Sequence, residues 1–145
     1  MMKQNGRLLG LDFGTKRIGV AVSDPMQVIA QGISTIEYRD ITEAMDKLET
    51  LNSQYCLQGI IIGYPLTLNG TIGKAAQKTE KFIKQLKKKF DLPISLFDER
   101  FTSVIAENTL KEAGKSPNKN KSLVDQISAT LILQDYLDQQ KNKVS

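Results

Sequence analysis

The sequence contains no histidine and a single cysteine, Cys56. Without histidine there is no Ser-His-Asp or Cys-His pair and no imidazole acid or base, and most zinc sites are out of reach. Hydrolytic chemistry must then rest on carboxylates, lysines, hydroxyls or hard metals held by carboxylates. One thiol cannot form an internal disulfide, so Cys56 reads as a packing or partly exposed thiol in a reducing compartment. No apolar run approaches the roughly 20 residues that span a bilayer. The opening Met1–Arg7 is polar and the apolar stretch behind it carries Asp12, which is not the pattern of a secretory leader. The expectation is a cytoplasmic protein with no membrane partner. Repeats, linkers and low-complexity segments are lacking too.

What is present fits one domain over residues 1–145, with 40% hydrophobic and 25% charged residues. The net charge of +4 helps a polyanion approach but identifies none. Leu8–Phe13 reads as a buried strand ending in a turn, and Arg17–Ser23 as its hairpin partner. Ile29–Tyr38 reads as a third strand. Asp40-Ile-Thr-Glu43 is an N-cap signature for a helix to about Tyr55, with Ile41, Ala44, Met45, Leu48 and Leu51 on one face. Leu57–Gly63 holds Ile60-Ile61-Ile62, apolar on both faces as a central parallel strand requires. A loop over Tyr64–Gly73 precedes a helix from Lys74 to Phe90, with Thr79, Phe82, Ile83, Leu86 and Phe90 inward. Its outer face is lysine-rich, either a plain solvated face or a nucleic-acid stripe. Pro93–Phe97 is a further strand. Ser103–Ala113 reads as a helix buried through Val104, Ala106 and Leu110, Gly114–Asn120 as a mobile loop, and Leu123–Gln140 as the last helix before a frayed tail. The order β-β-β-α-β-α-β-α-α predicts an α/β fold, a mixed five-stranded sheet flanked by helices.

Three acids sit where such a sheet collects ligands, at or after strand ends and in the last helix: Asp12, Glu99 and Asp125. Carboxylates packed together repel unless a cation neutralises them, and oxygen donors suit Mg2+ or Mn2+. Each also has a plain structural reading. Asp12 fits a turn before Gly14, and Asp98-Glu99-Arg100 fits a surface ion pair. Asp125 fits a capping box, Ser122-Leu-Val-Asp125, and Asp24 beside Pro25 fits a turn.

The motifs also resemble a known family. Gly10-Leu-Asp-Phe-Gly-Thr-Lys-Arg-Ile-Gly-Val-Ala-Val-Ser-Asp24 resembles the opening motif of the YqgF, or RuvX-like, proteins. These are described as pre-16S rRNA nucleases or Holliday junction resolvases. The likeness continues through Gly63-Tyr-Pro-Leu-Thr-Leu-Asn-Gly-Thr71, Asp98-Glu-Arg-Phe-Thr-Ser103 and Lys121-Ser-Leu-Val-Asp125 into the last helix. Departures are few: Leu68-Asn69 in the loop, Ser103 after Thr102, and Ser128-Ala129 where two alanines are usual.

The resemblance implies an RNase H-like fold in which Asp12, Glu99 and Asp125 are the metal-binding, catalytic acids and Mg2+ or Mn2+ the cofactor. It implies phosphodiester hydrolysis that trims pre-16S rRNA during ribosome biogenesis, on ribosomal precursor particles. A DNA junction resolvase, which acts as a dimer on two strands, differs only in substrate, so branched DNA and a monomer or homodimer both stay open. Lys16 and Arg17 are placed to meet substrate phosphates; Arg100 either orients Glu99 or meets a phosphate. Two rivals share parts of the pattern. Asp12-Phe-Gly-Thr15 resembles a phosphate loop of actin-like and sugar-kinase-like ATPases, but one domain of this length cannot form their two-domain cleft. A non-catalytic nucleic-acid-binding module on the same fold would be expected to lose one of the acids.

Overall fold

The computed structural model describes residues 5–14, 16–64, 74–98 and 102–144. Five strands form one sheet: β1 (Leu8–Phe13), β2 (Arg17–Ser23), β3 (Ala30–Glu37), β4 (Gly59–Tyr64) and β5 (Ile94–Asp98). Their spatial order is β3-β2-β1-β4-β5. The meander β1-β2-β3 is antiparallel, while β1, β4 and β5 run parallel. Four α-helices complete the order: α1 (Ile41–Tyr55), α2 (Lys74–Lys89), α3 (Thr102–Glu112) and α4 (Lys121–Val144).

Strand alternation divides the core in two. Leu9, Leu11, Ile18, Val20, Ile60 and Ile62 face α1 and α2, where they meet Ala44, Met45, Leu48, Phe82, Ile83 and Leu86. Leu8, Ala21 and Ile61 face the other way and meet Ala129, Ile132, Leu133 and Leu137 of α4. β4 buries isoleucines on both faces, as its sequence requires. Asp40 caps α1: its carboxylate accepts from the Glu43 N–H at 2.9 Å. Thr79, Phe82, Ile83, Leu86 and Phe90 are all buried beneath α2, as the helical period predicted.

α4 lies almost in contact with the backbone of the sheet. A methyl group on Gly19 would stand 1.9 Å from the Asp125 carbonyl oxygen, and one on Gly10 would stand 2.7 Å from Leu133 Cβ. Gly32 meets Gln126 and Thr130 in the same way. Hydrogen bonds then fasten the start and the middle of α4 to β3. The Thr35 hydroxyl donates to the Ser122 carbonyl, and the Ala30 N–H donates to Gln134 Oε1 at 2.8 Å.

Four expectations need correction. Val104 is 54% exposed, because α3 packs chiefly on α4 and its narrow buried face is Ala106 and Leu110. Residues 114–120 are not wholly irregular: Pro117–Lys119 forms a 3-10 turn after a left-handed Gly114. α4 starts at Lys121, and the Asn120 carbonyl accepts from the Val124 N–H, so Asn120 and not Ser122 holds the capping position. The helix also runs on to Val144 instead of fraying after Gln139, since nothing in Gln139–Lys143 breaks it.

Asp24 is the turn residue its place beside Pro25 implied. Its carboxylate accepts from the Met26, Val28 and Ile29 N–H groups at 3.1, 2.8 and 2.8 Å. The Ile29 N–H is the chief reason its pKa lies below the ordinary value, with Val28 and Met26 adding to it against some desolvation.

Three outcomes follow for stability. Gly19→Ala should destabilise by about 3 kcal/mol in urea melts, since backbone and not a flexible side chain opposes the new methyl. Ser128 Oγ is buried with no hydrogen-bond partner, so Ser128→Ala should add about 1 kcal/mol. The lowered Asp24 pKa stabilises the fold above the unfolded value. Wild type should therefore exceed Asp24→Asn at neutral pH, and the gap should close as pH falls below 3.8 in a pH series of melts.

Candidate functional site

β1 ends in Asp12-Phe13, and alternation turns these two side chains to opposite faces. Phe13 stacks on Phe82 at 4.3 Å between ring centroids, on the α2 side. Asp12 shares the α4 face with Leu8 and Gly10. Its cross-strand partner is Gly19, the residue against which the Asp125 backbone rests. Paired residues in an antiparallel ladder project to the same face, so Asp12 and Asp125 occupy one corner of the fold. Asp12 is half-buried and already engaged in a polar interaction.

Asp125 is held from β2. Arg17 lies two residues before Gly19 and so on the same face; its Nε donates to Asp125 Oδ2 at 2.7 Å. The side chains retain 31% and 23% exposure, so solvent weakens the pair to about 1 kcal/mol or less. The charge-assisted bond still fixes which way the carboxylate points. The loop behind Asp12 is closed by the Gly14 N–H, which donates to the Arg17 carbonyl at 2.8 Å, and by the Tyr38 hydroxyl, which donates to the Gly14 carbonyl. Burial raises the Tyr38 pKa.

The third acid was expected beside β5. β4 separates β1 from β5, so the two strands lie about 10 Å apart and not side by side. Their carboxyl ends still share one edge: Leu11 pairs with Ile62, and Ile62 with Leu96. One step further along, Gly63 pairs with Phe97 and contributes no side chain between the outer strands. Glu99 and Arg100 lie outside the described residues, as does Thr15. Lys16 is exposed beside the Asp12 end of β1, and its carbonyl accepts from the Tyr38 N–H. Among the described residues no three acidic, histidine or cysteine side chains converge on one point.

The structure thus brings Asp12, Asp125, Arg17 and Lys16 to one region. Sequence reasoning gave Arg17 to substrate phosphate, whereas here it serves Asp125. Tyr38 was missed as a brace. For Arg17 the signal lay in Arg17-x-Gly19: a cation and a space two residues apart on one strand face. Cys56 is exposed at the left-handed end of α1, remote in sequence from these residues.

The sequence pattern of a family described as "RuvX: Holliday junction resolvase" matches residues 6–139. A protein of Desulfitobacterium hafniense named "Putative pre-16S rRNA nuclease" is 46% identical over 138 residues, 94% of this chain and 96% of its own. A protein of the same name from Crocosphaera subtropica is 47% identical over 133 residues, 92% and 93% of the two chains. Among solved structures, Thermus thermophilus RuvC in complex with a Holliday junction substrate aligns with a TM-score of 0.58 at 10% identity, over 94% of this chain and 96% of RuvC. The Fowlpox virus resolvase aligns at 0.55 and 13% identity, over 92% and 98%. These likenesses show that the fold is RNase H-like.

Proposed function

The chain belongs to the RuvX family, and from that premise we propose that it is a divalent-metal-dependent nuclease that trims the 5′ end of pre-16S rRNA during ribosome assembly. The observation that carries this reading is the Asp12–Gly19–Asp125 contact, which joins acids 113 positions apart in the chain on one sheet face. The work of a sheet-end site on a polyanion fits the whole of residues 1–145 acting as one domain in the cytoplasm, with ribosomal precursor particles as its setting.

The donor set fits a hard ion. Asp12 and Asp125 offer carboxylate oxygens alone, on a face with no sulfur or nitrogen ligand among the described residues. Asp12 and Asp125, with Glu99 directly after β5 in sequence, would hold Mg2+ or Mn2+. Such ions, when bound, activate water for attack and stabilise charge on the leaving oxygen of a phosphodiester. The protein's own groups do the rest. Arg17 orients Asp125 by holding its Oδ2, which leaves Oδ1 as the oxygen assigned to the ion. Lys16 stands exposed to draw in a phosphate, and Arg100 is assigned either to a phosphate or to Glu99. The Tyr38–Gly14 bond holds the chain after Asp12 in place.

Incubation of the pure protein with precursor 16S rRNA, and separately with a four-way DNA junction, tests the reading. Cleavage of the RNA is expected with Mg2+ or Mn2+, none after chelation, and recovery on adding the ion back. Asp12→Asn, Glu99→Gln and Asp125→Asn should each cut the rate about a thousandfold, roughly 4 kcal/mol of transition-state stabilisation, with thermal melts near wild type. Cleavage of the junction alone would transfer the activity to DNA. Cleavage of neither, with ions present, would leave a binding module and end the nuclease reading.

A further inference from the structure

The side of the sheet opposite α4 carries a groove of its own. α2 forms one side and the segment Tyr38–Thr42, which leads into α1, the other, with Phe13 and Phe82 between them, around a cavity of about 710 Å3. Lys78, Lys81, Lys84 and Lys88 all line it, because positions three or four apart on a helix share one stripe. From Lys78 to Lys88 the stripe is about 15 Å long. Arg39 is the fifth cation and Asp40 the lone acid of the lining. The Asp40 carboxylate is engaged in capping α1. Arg39 is paired with Glu43 at 3.1 Å, so five cations stand against two anions and the local charge is +3, carried by the four lysines.

A solvated helix face normally shares its lysines with acids. Lys89, just outside the stripe, does so with Glu49 at 3.2 Å. The four groove lysines have no acidic partner within 4 Å among the described residues. The groove also leads somewhere. Through Tyr38 and Arg39 it joins a second cavity, where Lys16, Arg17 and Lys47 stand with Glu37 and Glu43; Arg17 is bonded to Asp125, and Arg39 and Lys47 to Glu43. The two cavities, sharing Tyr38 and Arg39, therefore connect the Asp12–Asp125 corner around the end of the sheet with the lysine stripe of α2.

We propose that the α1–α2 groove holds the single RNA strand that leads away from the cleaved bond, through its phosphates. The proposal rests on the nuclease reading above for the direction of the strand. A stacked strand advances 3.4 Å per nucleotide, so the stripe spans about four phosphates. A single row of lysines matches the phosphates of one strand, so the track is assigned to a single strand and not to a duplex. Phosphate contacts read no base, so binding along this track is independent of sequence.

Binding of a fluorescent single-stranded 12-mer RNA, without divalent ions and across a salt series, tests this. The variant Lys78→Gln/Lys81→Gln/Lys84→Gln/Lys88→Gln keeps helix-forming residues and should retain the wild-type circular dichroism spectrum. Its affinity should fall at least tenfold, and its log-log salt slope should drop by about 3. Lys87→Gln/Lys89→Gln/Lys141→Gln, outside the groove, should bind within twofold of wild type. Unchanged affinity in the groove variant, an equal loss in the control, or tighter binding of duplex RNA would each overturn the proposal. Asp12→Asn should bind RNA like wild type while failing to cut it. Failure of the nuclease reading therefore shows as absent cleavage with binding intact, and failure of the groove as intact binding in the lysine variant.

Discussion

The architecture turns on the contact between the α4 backbone and a strip of sheet without side chains. Helices usually rest on sheets through side chains that hold the two backbones well apart. Here Gly10, Gly19 and Gly32 remove that spacer, and the carbonyl of Asp125 settles where a Cβ would otherwise be. The approach brings an acid from the last helix to an acid at the end of the first strand. Arg17 and the β3 hydrogen bonds then fix what the close packing allows. No local propensity of Lys121–Val144 would place Asp125 there; the placement is a property of the surface it meets.

The two faces of the sheet consequently differ in kind. Toward α1 and α2 the strands present large aliphatic side chains, and these carry most of the apolar burial. Toward α4 they present Leu8 and Ile61 at the middle of the sheet, with glycine, alanine and Asp12 around them. The first face supplies stability and tolerates the loss of a methylene group with modest cost. The second supplies geometry, and it has no slack to absorb a larger side chain.

Much of this was legible in the residues. Period-2 and period-3.6 patterns located all five strands and the buried faces of α1 and α2, because those faces meet a continuous apolar surface. Ile60-Ile61-Ile62 announced a central strand, and Asp40-Ile-Thr-Glu43 a capped helix. Where a partner surface is small, pattern misleads: α3 packs chiefly on α4, so Val104 stays exposed. Ser122 looked like a cap because Asp125 lies three residues on, yet Asn120 closes the helix start. The acids themselves were conspicuous, but the approach of Asp125 to the Asp12 end of β1 was not. It depends on strand order, and β4 intervenes between β1 and β5 in a way that spacing along the chain does not encode. The Arg17–Asp125 bond, 108 residues apart, was equally invisible before the pairing of β1 with β2 fixed which face Arg17 takes. The charged groove was half visible, as a lysine stripe; that this stripe lines a cavity became apparent only with the segment leading into α1 in place.

Synthesis from the amino terminus gives the position of α4 a temporal meaning. All five strands leave the ribosome before Lys121 does, so the nascent sheet waits with one side bare. Asp12 is translated long before Asp125, and the two become neighbours only when α4 docks. Any chemistry that requires both acids is thereby withheld until α4 has emerged and packed on the sheet.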